Sequence, residues 1–191
     1  MKTITAIYLL TVIIGVTACK KDKTGGITSG TYSIPNADFE DWGPYNSLLD
    51  WKTNSCPLCV PAINTYTVQQ VTDAWHGQFA AKFIYNGAYA ATAENKFAVQ
   101  GHPVSLTAYT KSTLYGADTV SIKITLFKNS AAVDGGEWLG TSSTANYTKI
   151  TIPITQNSMQ ADSALISIKG GHKTNFVDKS TALWVDDLTL Q

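Results

Sequence analysis

An all-β chain folded as two antiparallel sheets packed face to face is what these 191 residues predict, and three observations carry that expectation. From Thr31 onward, short runs rich in β-branched and aromatic residues are separated by Gly, Asn, Asp and Pro, the punctuation of strands and turns. Two of the runs alternate strictly, Val120, Ile122, Ile124, Leu126 and Ile150, Ile152, Ile154, so each lays its apolar side chains on one face of a strand. Outside the leader, no window of helical length carries an apolar stripe at i, i+3, i+4 and i+7. Each sheet then has one apolar face to bury, and a sandwich buries both.

Residues 1–18 open with Lys2 and an apolar run from Ile4 to Val16, too short to span a bilayer and shaped like a secretory signal. Small residues end the run and Cys19 follows, which resembles the bacterial lipobox. That resemblance implies cleavage before Cys19, acylation of its thiol and new amine by fatty acids such as palmitate, and anchoring by several chains where one would bind weakly. Residues 19–30 are polar and poor in hydrophobes, so they form a flexible tether. The folding domain is 31–191.

Within that domain the expected strands are 65–72, 78–85, 104–115, 119–128, 147–154, 164–169 and 182–190. The last one is unusual. Its alternation sets Trp184, Asp186, Leu188 and Leu190 on one face, so Asp186 points inward. A lone buried carboxylate costs several kcal/mol unless it is paired, hydrogen-bonded or bound to a cation. No arginine exists anywhere in the chain to pair it. A structural calcium, shared with the acidic stretch Asp38, Glu40, Asp41 near the start of the domain, would answer that cost and staple the two ends together; hydrogen bonds from backbone amides would answer it equally well.

Composition narrows the function. Fourteen lysines balance fourteen acids, and without arginine there is no bidentate fork for phosphate or guanine, which sets nucleic-acid binding aside. Cys56 and Cys59, in an exported chain, are expected to close a small disulfide loop. No G-x-S-x-G occurs, and His76, His102 and His172 show neither triad nor metal-ligand spacing. Glu94 and Glu137 are the carboxyls left for glycoside hydrolysis, and both sit in presumed loops. Among five tryptophans and nine tyrosines, Trp138 stands beside Gly135 and Gly136 in a presumed polar loop, where it docks on the sandwich or on a ligand. Tyr85, Tyr89 and Tyr109 are further ligand candidates, with Asn86 and Lys111 as polar companions. Trp42 and Trp184 are expected to pack.

The order of motifs IPNADFEDW, Trp51, TDAWHGQFAAKF, GHPVSLTAYTK, ADTVSIKITLFK, ADSALISIKG and LWVDDLTL resembles the carbohydrate-metabolism domain of Bacteroidota lipoproteins. That domain is similar to the galactose-binding-like jelly rolls of carbohydrate-binding modules in families 4, 9 and 22. The resemblance covers about residues 34–190. It implies a jelly roll with calcium near the chain ends, held by Glu40, by Asp186 and by backbone carbonyls around His76, Gly77 and Gln78. It also implies a glycan site on a concave face or at loop tips. The expected protein is thus a non-catalytic, lipid-anchored carbohydrate-binding module of the outer membrane, with oligo- or polysaccharide as ligand and proteins of a glycan-uptake system as neighbours. A structural or adhesive protein is the alternative, and a hydrolase the third. An aromatic row on an exposed face favours sugar, a broad apolar patch a protein, and a cleft between two carboxyls an enzyme.

Overall fold

The computed structural model describes residues 32–58, 66–85, 89–155, 160–171 and 181–191. The leader, the tether with Cys19, and Cys59 lie outside them. Twelve strands occur among the described residues: β1 Trp42–Gly43, β2 Ser47–Leu48, β3 Lys52–Thr53, β4 Val68–Val71, β5 Ala80–Ile84, β6 Thr92–Gly101, β7 Ser105–Thr113, β8 Val120–Lys128, β9 Ala131–Gly140, β10 Thr144–Pro153, β11 Ala161–Lys169 and β12 Ala182–Leu190. They build two five-stranded antiparallel sheets, ordered β10-β7-β12-β5-β4 and β3-β6-β11-β8-β9, beside the small β1-β2 hairpin. The architecture is the all-β two-sheet jelly roll.

The core lies between the sheets. The second sheet contributes Ile122, Ile124 and Leu126 from β8 and Ala164, Ile166 and Ile168 from β11; the first contributes Phe83, Leu106, Ala108, Ile152, Leu183 and Val185. The alternation read from β8 therefore holds. Ser121, Lys123, Thr125 and Phe127 take the outer side. Asn129 and Ser130, both at positive φ, turn the chain directly into β9, the left-handed pair that a two-residue hairpin needs.

Besides the two-residue strands β1, β2 and β3, two long strands were not expected. In β6 the inward positions are Ala93, Asn95, Phe97 and Val99, and the small alanine and the polar asparagine disguise the alternation. Asn95 is accommodated by donating to the Pro35 carbonyl at 2.9 Å. In β9, Asp134, Gly135 and Gly136 are poor strand formers, yet a side chain at either glycine would collide with backbone: Gly135 faces the Ile124 carbonyl oxygen and Gly136 the Pro153 one. Both glycines are required by close approach, so 131–140 is a strand and not a polar loop.

The N-terminal segment is part of the core. Phe39 is fully buried, held at positive φ, and lies 5.3 Å from the Trp51 ring. Trp42 donates through Nε1 to the Phe39 carbonyl at 2.6 Å, and Trp51 to the Asn36 carbonyl at 3.2 Å. Tyr32 bridges Leu190, and the Leu188 amide donates to Ala37 O at 2.9 Å. Backbone pairing thus joins the two ends of the domain.

Candidate functional site

The last strand changes phase in its middle. Leu183 and Val185 face the core, whereas Trp184 lies on the outer side; a bulge between Asp186 and Thr189, with Asp187 at φ 47, returns Leu188 and Leu190 to the core. Asp186 is fully buried, but on the outer side of the sheet with Trp184, under the loop 73–79. This corrects the expectation that Asp186 shares its face with Leu188 and Leu190. Its Oδ2 accepts from the amides of Trp75 at 2.8 Å and His76 at 3.1 Å, and its Oδ1 from Asp187 at 2.8 Å. Burial raises its carboxyl above the ordinary range, with the Asp187 charge adding to the rise, against the lowering by those amides.

Glu40 grips the same loop. Its Oε1 accepts from Gln78 N at 2.7 Å and Phe79 N at 3.0 Å. Gly77, at φ 71, passes so close that a Cβ would fall on the Glu40 carboxylate. Glu40, Gly77 and Asp186 do meet at one loop, as the resemblance implies. The groups turned toward the carboxylates are N–H donors, where an ion shell would need carbonyl oxygens. No cluster of three or more His, Cys, Asp or Glu suited to a metal occurs among the described residues. As arranged, the residues fit an amide clamp better than a calcium shell.

The second sheet carries a groove. Glu94, Ser121, Lys123, Thr125, Glu137, Leu165, Ser167 and Lys169 line an open depression of about 230 Å³. Register explains it: Glu94 faces Ser167, Ser167 faces Lys123, and Lys123 faces Glu137, a straight row across β6, β11, β8 and β9. No ion pair joins these charges to one another among the described residues. Their donors and acceptors remain turned toward solvent. Glu94 and Glu137 thus stand on strands, not in the loops expected for them.

The outer face of the first sheet carries aromatic rings. Trp184 has Lys82 and Lys111 as its cross-strand neighbours on either side, with ammonium groups 4.6 and 4.5 Å from its ring centroid. It is an outward residue held by two lysines, not the packing residue expected. Lys111 is ion-paired with Asp73. Tyr147 donates to the Asp73 carbonyl at 2.6 Å, and burial, followed by the charges of Asp73 and Asp186, pushes its hydroxyl well above the usual tyrosine range. Tyr109 lies on this face, and Trp75 stacks on it at 4.3 Å and 12°.

The other expected ligand residues disperse. Trp138 packs half-buried against the core from β9, with Gly140 beneath its ring, so of its two expected uses it serves the sandwich. Tyr85 is buried at the end of β5, and Tyr89 is exposed beyond the undescribed residues 86–88. Trp75 and Lys123 were missed because neither contrasts with its local pattern. Cross-strand register gives Lys123 its neighbours, and the loop before β5 lays Trp75 on Tyr109. Cys56 lies in the loop before β4 and its expected partner Cys59 outside the described residues.

No protein-family model matches the chain, and comparison with curated proteins finds no match in sequence. Solved structures do match in shape. A family 61 carbohydrate-binding module, TmCBM61, solved in complex with beta-1,4-galactotriose, is 13% identical with a TM-score of 0.53, over 85% of this chain and 99% of that one. A family 4 carbohydrate-binding module is 14% identical with a TM-score of 0.50, over 83% and 99%. A glycoside-hydrolase candidate from Bacteroides thetaiotaomicron VPI-5482 is 11% identical with a TM-score of 0.57, over 75% of this chain and 63% of that one. At such identities the likeness is one of fold. The fold is the jelly roll of carbohydrate-binding modules, as the sequence resemblance implied.

Proposed function

We propose that this chain is a lipid-anchored, non-catalytic carbohydrate-binding module whose glycan lies in the groove of the second sheet. The observation that carries the reading is the row Glu94, Ser167, Lys123, Glu137, in which carboxylate, hydroxyl and ammonium follow one another across four strands without pairing. Carboxylates accept from sugar hydroxyls, lysines donate to them, and Leu165 supplies an apolar floor. Support comes from the fold, which is similar to that of a module holding a galactotriose, although the same fold also occurs in a hydrolase candidate. Glycoside hydrolysis wants its two carboxyls about 5–9.5 Å apart. Glu94 and Glu137 are separated by three strand spacings, roughly 14 Å of backbone at ~4.8 Å each, with Lys123 between them.

A glycan array probed with the purified full chain tests the reading. Selective binding that weakens at least about tenfold in Lys123→Ala and Glu94→Gln is the expected outcome; silence from the unaltered chain overturns it. The anchor is part of the proposal. Cys19 would hold the domain at the outer membrane, beside the enzymes or transporters that take up the glycan. Radiolabelled palmitate is expected to enter the wild-type chain and not Cys19→Ser, and equal labelling of both would refute the lipobox.

A further inference from the structure

We propose that Trp75 and Tyr109 form a second saccharide platform, on the sheet face opposite the groove, which takes the C–H face of a neutral pyranose. Trp75 keeps half its surface in solvent although a flat partner lies directly beneath it. One face of the indole is covered by Tyr109, which leaves the opposite face and the ring edges to supply the exposed half. This is the stacked aromatic pair found among the described residues. Its geometry is fixed from both ends, since the Trp75 amide is held by Asp186 and Tyr109 belongs to β7, an inner strand of the sheet. A ring that is already immobile loses little conformational freedom when a ligand stacks on it.

The surroundings identify the ligand. Asp73 and His76 flank Trp75 in the chain with side chains 57% and 77% exposed, and they offer an acceptor and a donor to ring hydroxyls. Asp73 also neutralises Lys111, and Asp187 lies 3.9 Å from His76. Lys82 and Lys149, on the same face, stand opposite Trp184 and Tyr109, while the two groups that border Trp75 itself are matched in this way and give an anionic sugar no advantage there. A single indole ringed by charged groups is likewise too small an apolar patch to dock a protein. What fits is a flat, uncharged surface edged by hydroxyls, and a neutral pyranose has that form. With the groove on the opposite sheet, the sandwich would hold two glycan segments at once, and binding of a polymer would gain from their linkage.

The test uses the full chain, Trp75→Ala and Lys123→Ala on an array of cellulose-, xylan- and galactan-derived oligosaccharides, with the Trp75 indole N–H followed by NMR titration against each binder. The expected result is that Trp75→Ala loses a neutral ligand by about tenfold or more while Lys123→Ala keeps it, and that the Trp75 resonance shifts with that ligand. Because Trp75 is exposed, its removal leaves the core intact, and a circular dichroism melt verifies the fold. If every signal survives Trp75→Ala and depends on Lys123 alone, the platform is overturned and the groove stands. If every signal depends on Trp75 and none on Lys123, the groove is overturned and the platform stands. A wild-type chain that binds nothing overturns both.

Discussion

Replacing Asp186 by alanine removes the acceptor for three backbone N–H groups at once, those of Trp75, His76 and Asp187. A buried donor left without a partner costs about 1–3 kcal/mol, and a domain of this size loses about 2–4 °C of melting temperature per kcal/mol. Asp186→Ala is therefore expected to melt several degrees below wild type, and an unchanged melt would remove the clamp from the account. The pH dependence has a definite sign. The folded carboxyl holds its proton to higher pH than the ordinary 3.8, so the folded state binds more protons than the unfolded one across that interval. On this group alone stability rises as pH falls through the raised range, and stops rising below the ordinary value. Asp186→Asn should lack this component. Adding a chelator is expected to leave the wild-type melt unchanged, since amides already occupy both Asp186 oxygens and Glu40 Oε1; a fall that Asp186→Ala abolishes would instead establish the calcium staple. That Asp186 is buried was legible from its place in an apolar strand. Its face was not, because strict alternation makes no allowance for a bulge, which here sets Leu183 and Val185 out of phase with Leu188 and Leu190.

Strands with strong contrast were readable, and strands with weak contrast were not. In β8, four β-branched or leucine side chains alternate with polar ones, so the alternation by itself assigns the inward face. β6 turns small and polar residues inward, and β9 uses glycine where two backbones nearly touch. The groove suffered from the same blindness, since Glu94 and Glu137 become partners in a row only once β6 and β9 are recognised as strands. Gly136 tests the reading of β9. A methyl group there would collide with the Pro153 carbonyl and with the Ile152 side chain, so β9 and β10 would have to part. Gly136→Ala is expected to lower the melting temperature by several degrees or more, the cost of overpacking being about 1–3 kcal/mol. If it melts like wild type, the two strands do not approach as closely as described.

At the scale of the whole molecule, the ends of the domain meet twice: through Tyr32 with Leu190 and the Leu188 amide with Ala37, and through Glu40 and Asp186 on one loop. The sequence suggested such a junction from a carboxylate at each end, and the structure builds it largely from backbone pairing. Phe39 is wholly buried in the core and packs beside Trp51. A junction of this kind forms only after the full length of the domain has been ordered, so its contacts reward folding late and fraying should begin there. Phe39→Ala empties a fully buried core site beside Trp51. Its expected cost is about 3–5 kcal/mol, a large part of the ~5–15 kcal/mol that holds a typical domain together. Two outcomes separate a shared core from a detachable plug. If near-ultraviolet and far-ultraviolet circular dichroism fall together at a lower temperature, the N-terminal segment is an integral part of one cooperative unit. If instead the near-ultraviolet signal of Trp42 and Trp51 is lost while the sheets melt at the wild-type temperature, the segment is an appendage, and neither the loop nor Trp75 above it depends on the ends of the chain.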